Sequence, residues 1–408
     1  MIKRMIPMLF AALWLVVVAN SFATETFENV ALYVVSETES GPTLAFDGFR
    51  SAPFAESPVV SDETNSGIVD VKTLADAIGT APNLDAAKVG ELAGAELNDV
   101  VVATATLEDG KITSIVATAR LPRPVVGIAW ANKSVGNSSK RIADALLRYG
   151  ARARFMTRVS NDEECEAALK ELSGFVMPGG ADLDPALYGE SPYPHGSIGI
   201  EPDRDVSDCL TTRRAIATNL PGLWICRGEQ TLNVALGGAL IQDIPSYQGA
   251  NVARGAIPAS ETEIIPDEGA PATYGGRPAE ECMPRHYRVS AYGTRHNSGN
   301  RHPIEISESS KFLATVVGSR TCPSVSTSHH QAADPERVGK GLTVVATAPD
   351  GIVEALEYQA NDFALGVQFH PEMDTRSQDP EIARVSAGFF RELLQFAREY
   401  PVKAASDQ

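Results

Sequence analysis

From Val125 onward, short uninterrupted apolar runs alternate with helix-length segments, and that alternation restricts the chain to few architectures. The runs are "VVGIAW" (Val125 to Trp130), "ARARFM" (Ala151 to Met156), "GFVMPGG" (Gly174 to Gly180) and "GLWIC" (Gly222 to Cys226). Predicted helices lie between them near Ser139 to Tyr149, Glu163 to Leu172 and Asp205 to Thr218. A strand that is apolar along its whole length has no solvent face, so helices must cover both sides of its sheet. The pattern therefore predicts an α/β fold with a mostly parallel sheet and helices on both faces. In such sheets ligands bind at the carboxyl ends of strands, where both "PGG" and Cys226 fall.

The text before Val125 reads differently. Residues 24–120 are rich in β-like runs and predict a small β-rich N-terminal domain with no catalytic grouping. Strands are expected at Val100 to Thr106 and Ile112 to Thr118, turned by Asp109-Gly110, with a short helix at "VKTLADAI". "LPRP" (Leu121 to Pro124) reads as a linker because its prolines resist both helix and sheet. The second domain is expected over residues 122–400, interrupted by an insertion near 248–300 that is rich in Gly, Pro, Arg and Asn. Strand patterns return at "PIEIS", "LATVVG", "LTVVATA", "GIVEALEY" and "FALGVQF". A last helix is predicted from Glu381 to Glu399, with Ile382, Val385, Phe389, Leu393 and Phe396 along one face.

Lys3 and Arg4 precede an uncharged stretch, Met5 to Ala19, followed by small residues at Ser21 and Ala23. This is the pattern of a signal peptide over residues 1–23, and it predicts an exported protein, periplasmic or secreted. The apolar stretch is short against the roughly 20 residues of a membrane span, so none is expected after cleavage; an uncleaved anchor is the alternative. A net charge of −17 without a basic stripe argues against nucleic acid as a partner. Five cysteines, at 165, 209, 226, 282 and 322, are an odd number. One is expected to stay free or to pair between molecules, and the four besides Cys226 allow up to two bridges; that several are simply buried and reduced is the alternative. The oligomeric state stays open, a homodimer being one expectation.

Cys226 stands where an apolar strand meets a helix, with Gly228 leaving room for close packing. A side chain on such a turn projects from the top of the sheet, as in a nucleophile elbow. The helix N-terminus favours a thiolate there, and the Arg227 N–H is placed to serve as an oxyanion donor. A thiolate needs a base and a group to orient that base. "GVQFHPE" offers both, His370 and Glu372, two apart and so expected on one strand face. Each feature alone is more often inert than catalytic.

Together with "GFVMPGGADLDPALYGE", "ICRGEQTLNVALGGALIQDI", "STSHHQ" and "FALGVQFHPEMD", in that order, they resemble the class I glutamine amidotransferase superfamily. Within it the chain most resembles the free-standing γ-glutamyl-γ-aminobutyrate hydrolase type of cysteine peptidase, over roughly Pro124 to Arg398. The resemblance implies a flavodoxin-like sheet and a Cys226–His370–Glu372 triad. Gly179 and Gly180 match the glycine loop of the oxyanion hole, and Gln230 matches a glutamine that holds the glutamyl end. His329, His330 and Gln331 match a substrate-side loop. Asp208 departs from the glutamate common at its position, and the insertion is atypical; both put the substrate in doubt.

What this implies is hydrolysis of the γ-glutamyl amide of a small compound through a thioester, with no cofactor. A glutaminase subunit passing ammonia to a synthase, or a binding protein that kept the fold, are the competing expectations. No metal is expected: Cys282, His286, His296 and His302 fit no familiar zinc spacing, and His302 matches a family position. His329 and His330, as neighbours on an extended chain, should face opposite ways and chelate poorly as a pair.

Overall fold

The computed structural model describes residues 24–38, 41–46, 50–63, 68, 71–78, 100–129, 137–192, 199–244, 247–248 and 300–401, with the backbone of four short strands between them. The leader stretch lies outside these residues, as does most of the insertion. Among the described residues, no helix is long and apolar enough to cross a membrane.

The first five strands close into a barrel: β1 (Thr24–Thr38), β2 (Gly41–Phe46), β3 (Arg50–Asp62), β4 (Val100–Glu108) and β5 (Lys111–Leu121), in the order β1-β2-β3-β5-β4. Asp109 and Gly110 turn β4 into β5 at φ +53° and +72°, the left-handed pair that a two-residue hairpin requires. Helix α1 (Val71–Ile78) contributes Leu74 to a separate apolar core with Leu32, Leu44, Val101 and Ile115.

β6 (Val125–Ile128), α2 (Asn137–Arg148), β7 (Arg152–Phe155), α3 (Asp162–Leu169), β8 (Gly174–Met177), α4 (Pro202–Ala217), β9 (Gly222–Ile225) and α5 (Arg227–Ala235) follow in strict alternation. β10 (Leu240–Ile241) precedes the four backbone-only strands, β11 (Thr262–Ile265), β12 (Thr273–Tyr274), β13 (Arg277–Pro278) and β14 (His286–Val289). Then come β15 (Asn300–Ile306), α6 (Leu313–Val317), β16 (Thr321–Thr327), β17 (Ala332–Ala333), β18 (Thr343–Thr347), β19 (Val353–Glu357) and β20 (Ala364–Val367). The strand-like reading of "LATVVG" is incorrect: Leu313, Val316 and Val317, three and four apart, bury one face of a short helix that Gly318 ends at φ +73°. The chain ends with α7 (Pro371–Asp374) and α8 (Pro380–Glu399).

Nine of these strands form one sheet in the order β16-β15-β18-β19-β20-β9-β8-β6-β7. The run β20-β9-β8-β6-β7 is parallel, as the apolar strands predict. From β20 outward the sheet continues antiparallel through β19, β18, β15 and β16, an extension that the short strand patterns after residue 300 did not specify. Alternate residues of β8 and β9 fill two cores, one on each face. Val176, Leu223 and Ile225 pack with α2 and α8 residues such as Leu146, Phe389 and Leu393. Phe175, Met177 and Trp224 pack on the other side with Leu169, Ile216 and Leu232. This double burial makes the fold α/β and aligns the ends of β8, β9 and β20 along one edge.

Candidate active site

β9 ends at Ile225 and α5 begins at Arg227, leaving Cys226 at the corner with φ +54° and ψ −110°. A non-glycine residue in such a conformation costs about 1–3 kcal/mol and persists only where its surroundings enforce it. Here they do: the Cys226 N–H donates to the Val367 carbonyl at 2.7 Å, and the Cys226 carbonyl accepts the first helical N–H, from Gln230. Gly228 makes the corner possible, since a Cβ there would lie 2.5 Å from the Met177 carbonyl oxygen. The thiol is not bridged. Cys165, Cys209 and Cys322 are also free and buried, so the disulfides considered for these three do not form; Cys282 lies outside the described residues.

His370 follows β20 and is tied to β16 by its N–H, which donates to the Ser326 carbonyl at 2.8 Å. Its Nδ1 lies 2.8 Å from Glu372 Oε1, which also accepts from the Ser138 hydroxyl at 2.9 Å. The expected route to this contact, two residues on one strand face, is incorrect. His370 caps the one-turn helix α7, and Pro371 at its start turns the chain so that the carboxylate folds back beneath the ring. Burial opposes a charge on His370, but the Glu372 carboxylate and the neighbouring Cys226 together raise its pKa well above the usual value. Burial alone would raise Glu372, yet its charge contact with His370 and hydrogen bonds from His370 and Ser138 hold it low. Both shifts favour an imidazolium against a carboxylate, beside a sulfur.

Gly179 lies over this group: a Cβ there would be 3.0 Å from His370 Cε1 and 3.3 Å from Cys226 Cβ. Gly180 is required for another reason. A Cβ on it would be 2.0 Å from Arg204 Nη1, the guanidinium that donates to the Gly179 and Pro178 carbonyls. Arg204 is bonded to Asp208 at 3.0 Å, and Asp208 and Asp205 both accept from Arg227. The Arg227 side chain thus braces the glycine loop through Asp208 and Arg204, while its backbone N–H stands at the head of α5. Asp208, the departure noted in the sequence, belongs to this brace.

The remaining residues occupy a second layer. Gln230 Nε2 donates to the Gln331 carbonyl at 3.2 Å and to Gln368 Oε1 at 3.1 Å, so its amide nitrogen is engaged within the protein. Gln331 Nε2 donates to the Gln242 carbonyl. His329 faces Glu354 at 3.6 Å, while His330 faces Asp182 at 3.0 Å and Asp243 at 3.5 Å. The two histidines do point opposite ways. Burial opposes a charge on His330, but hydrogen bonds and charges from Asp182 and Asp243 raise its pKa to about 10. Ser328, just before them, presents its carbonyl 3.9 Å from the Cys226 sulfur. Sequence reading missed Ser138, Arg204 and Asp205, which carry no local motif and act only through residues distant in the chain.

A model of the peptidase C26 family matches residues 124–372. A Mycobacterium tuberculosis protein, provisionally named a glutamine amidotransferase, is 35% identical over 210 residues, 52% of this chain and 54% of its own length. The chain thus spans about half of that relative. A Rickettsia prowazekii protein, provisionally named glutamine amidotransferase-like, is 32% identical over 49% of this chain and 70% of its own. The γ-glutamyl-γ-aminobutyrate hydrolase of Escherichia coli K12 is 26% identical over 62% of this chain and 87% of its own. Among solved structures, a Trypanosoma brucei CTPS glutaminase domain with bound acivicin covers 70% of this chain and 98% of its own at 14% identity, with a TM-score of 0.41.

Proposed function

The chain belongs to the peptidase C26 family, and from that premise we propose that it hydrolyses the γ-glutamyl amide bond of small compounds, with Cys226 as nucleophile. One observation carries the reading: an unbridged cysteine on a φ +54° corner, next to a histidine whose far nitrogen is 2.8 Å from a buried carboxylate.

The Cys226 thiolate attacks the γ-carbonyl carbon, forming a C–S bond and a tetrahedral oxyanion. The backbone N–H groups of Arg227 and of the Gly179–Gly180 loop are the donors nominated to hold that oxygen. As the C–N bond breaks, the His370 imidazolium gives its proton to the departing amine, leaving a γ-glutamyl thioester. His370, now neutral, takes a proton from water, whose oxygen attacks the thioester. Cleavage of the C–S bond then releases glutamate and restores the starting ion pair. Glu372 keeps the imidazole in the tautomer that presents Nε2 to sulfur. Arg204 acts through the loop it fixes, as a positioning residue.

The test is mass spectrometry with an electrophilic γ-glutamyl analogue, alongside a hydrolysis screen of γ-glutamyl amines, peptides and glutamine. Wild-type protein should gain one adduct, and Cys226→Ala should gain none while losing about 10⁴–10⁶-fold in turnover. Labelling that persists in Cys226→Ala removes Cys226 from the role. Turnover of glutamine alone, rising with a partner, would instead favour an ammonia-delivering glutaminase. An exported location and a homodimer remain part of the proposal, tested by fractionation of the expressing cell and by sedimentation.

A further inference from the structure

We propose that His302, His329 and Glu354 hold a zinc ion beneath the nucleophile helix. The three come from separate parts of the fold: β15, the loop after β16, and β19. All are buried, and one ligand atom from each lies within 4.8 Å of the others, a convergence that no other trio of His, Cys, Asp or Glu achieves among the described residues.

The histidine orientations carry the argument. His302 Nδ1 is 3.0 Å from the Pro303 carbonyl and His329 Nδ1 is 2.9 Å from the Gln331 carbonyl. A carbonyl oxygen only accepts, so each Nδ1 must carry the proton and donate it. Each ring then turns its Nε2 toward Glu354, the arrangement by which backbone carbonyls fix metal-bound histidines. Glu354 Oε1 lies 3.4 Å from Nε2 of His302 and 3.6 Å from Nε2 of His329. Those separations exceed an ordinary N–H···O bond. They fit the edge of about 3.3 Å that a tetrahedron has when its bonds are about 2.0–2.1 Å long.

A second observation points the same way. Glu229, on the first turn of α5 above the trio, is fully buried with neither carboxylate oxygen hydrogen-bonded. Two imidazole nitrogens and one carboxylate select zinc over magnesium or calcium, which favour all-oxygen sets. The position is buried and interior to the second layer, so the ion's role is structural: it joins two sheet strands and the His329 loop under the helix that carries Cys226.

Zinc also binds thiolate–imidazole pairs, so the experiment uses Cys226→Ala protein, which lacks the active-site sulfur and keeps the trio. Purified protein is stripped with chelator, titrated with zinc sulfate in competition with a chromophoric chelator, and assayed for metal by mass spectrometry. One zinc per chain is expected, with a rise in Tm and, on cobalt substitution, the strong visible absorption of a tetrahedral site. His302→Asn and Glu354→Gln, each added to that background, should weaken binding by at least about 10–100-fold. Folded Cys226→Ala protein that takes up no zinc overturns the proposal. So does zinc affinity unchanged in both added variants.

Discussion

The two sides of helix α5 bury charge by opposite means. Arg227 and Glu229 are two residues apart and both fully enclosed. Around Arg227, Asp205 and Asp208 accept from its guanidinium, and Asp208 passes the connection to Arg204 and the glycine loop. Around Glu229 no donor reaches either oxygen, and the charged group acting on it first is another acid, Glu354. One side is closed by opposite charges within the chain; the other buries an acid beside a second acid. The contrast shows where the fold spends rigidity. The glycine loop must stay fixed over Cys226, and a brace of paired charges does that without any added component.

The largest effect should come from breaking the closed side. Arg227→Met removes the shared partner of two buried aspartates and should cost about 3–5 kcal/mol in urea unfolding. A loss near zero would erase the contrast between the two sides. Next is Gly180→Ala, whose methyl group would meet Arg204. Overpacking of this kind should cost about 1–3 kcal/mol, and less in an Arg204→Lys background if the brace is the cause.

A smaller effect tests closure by pairing at His330, held between Asp182 and Asp243. Its pKa is about 10 in the folded protein against roughly 6.5 unfolded. The stabilisation from its charge is therefore fully present below pH 6.5 and is lost as pH rises through about 10. His330→Asn should flatten that stretch of the stability–pH curve, read from chemical denaturation. The smallest change belongs to the open side: Glu229→Gln should alter metal-free stability by no more than about 1 kcal/mol, because no hydrogen bond is broken. A cost as large as that of Arg227→Met would mean that Glu229 has a partner of its own in solution.

Much of the site was legible in the text. Cys226 could be found because a continuous apolar strand ends on it and a helix starts after it, both local patterns. Gly228 followed from the same corner, as did the Asp109-Gly110 hairpin. His370 and Glu372 were expected to meet and do, but the reason given for their contact was not the one the chain uses. Strand alternation was assumed, whereas Pro371 starts a helical turn. Arg204 was invisible because its contact with Gly180 spans 24 residues of sequence and depends on how α4 lies against β8. The trio of His302, His329 and Glu354 was hidden for a similar reason, since no short spacing connects residues on three separate elements.

The sequence by itself determined the layered α/β architecture and the chemistry available at its edge. Apolar periodicity and strand-ending glycines act over a few residues, where burial and backbone sterics leave little choice. Only the tertiary structure decided which charges meet: which acids pair with Arg227, which carboxylate holds His370, and which histidines turn toward Glu354. Electrostatic and hydrogen-bond energies depend on separations of a few ångströms between groups far apart in the chain, and packing alone sets those separations.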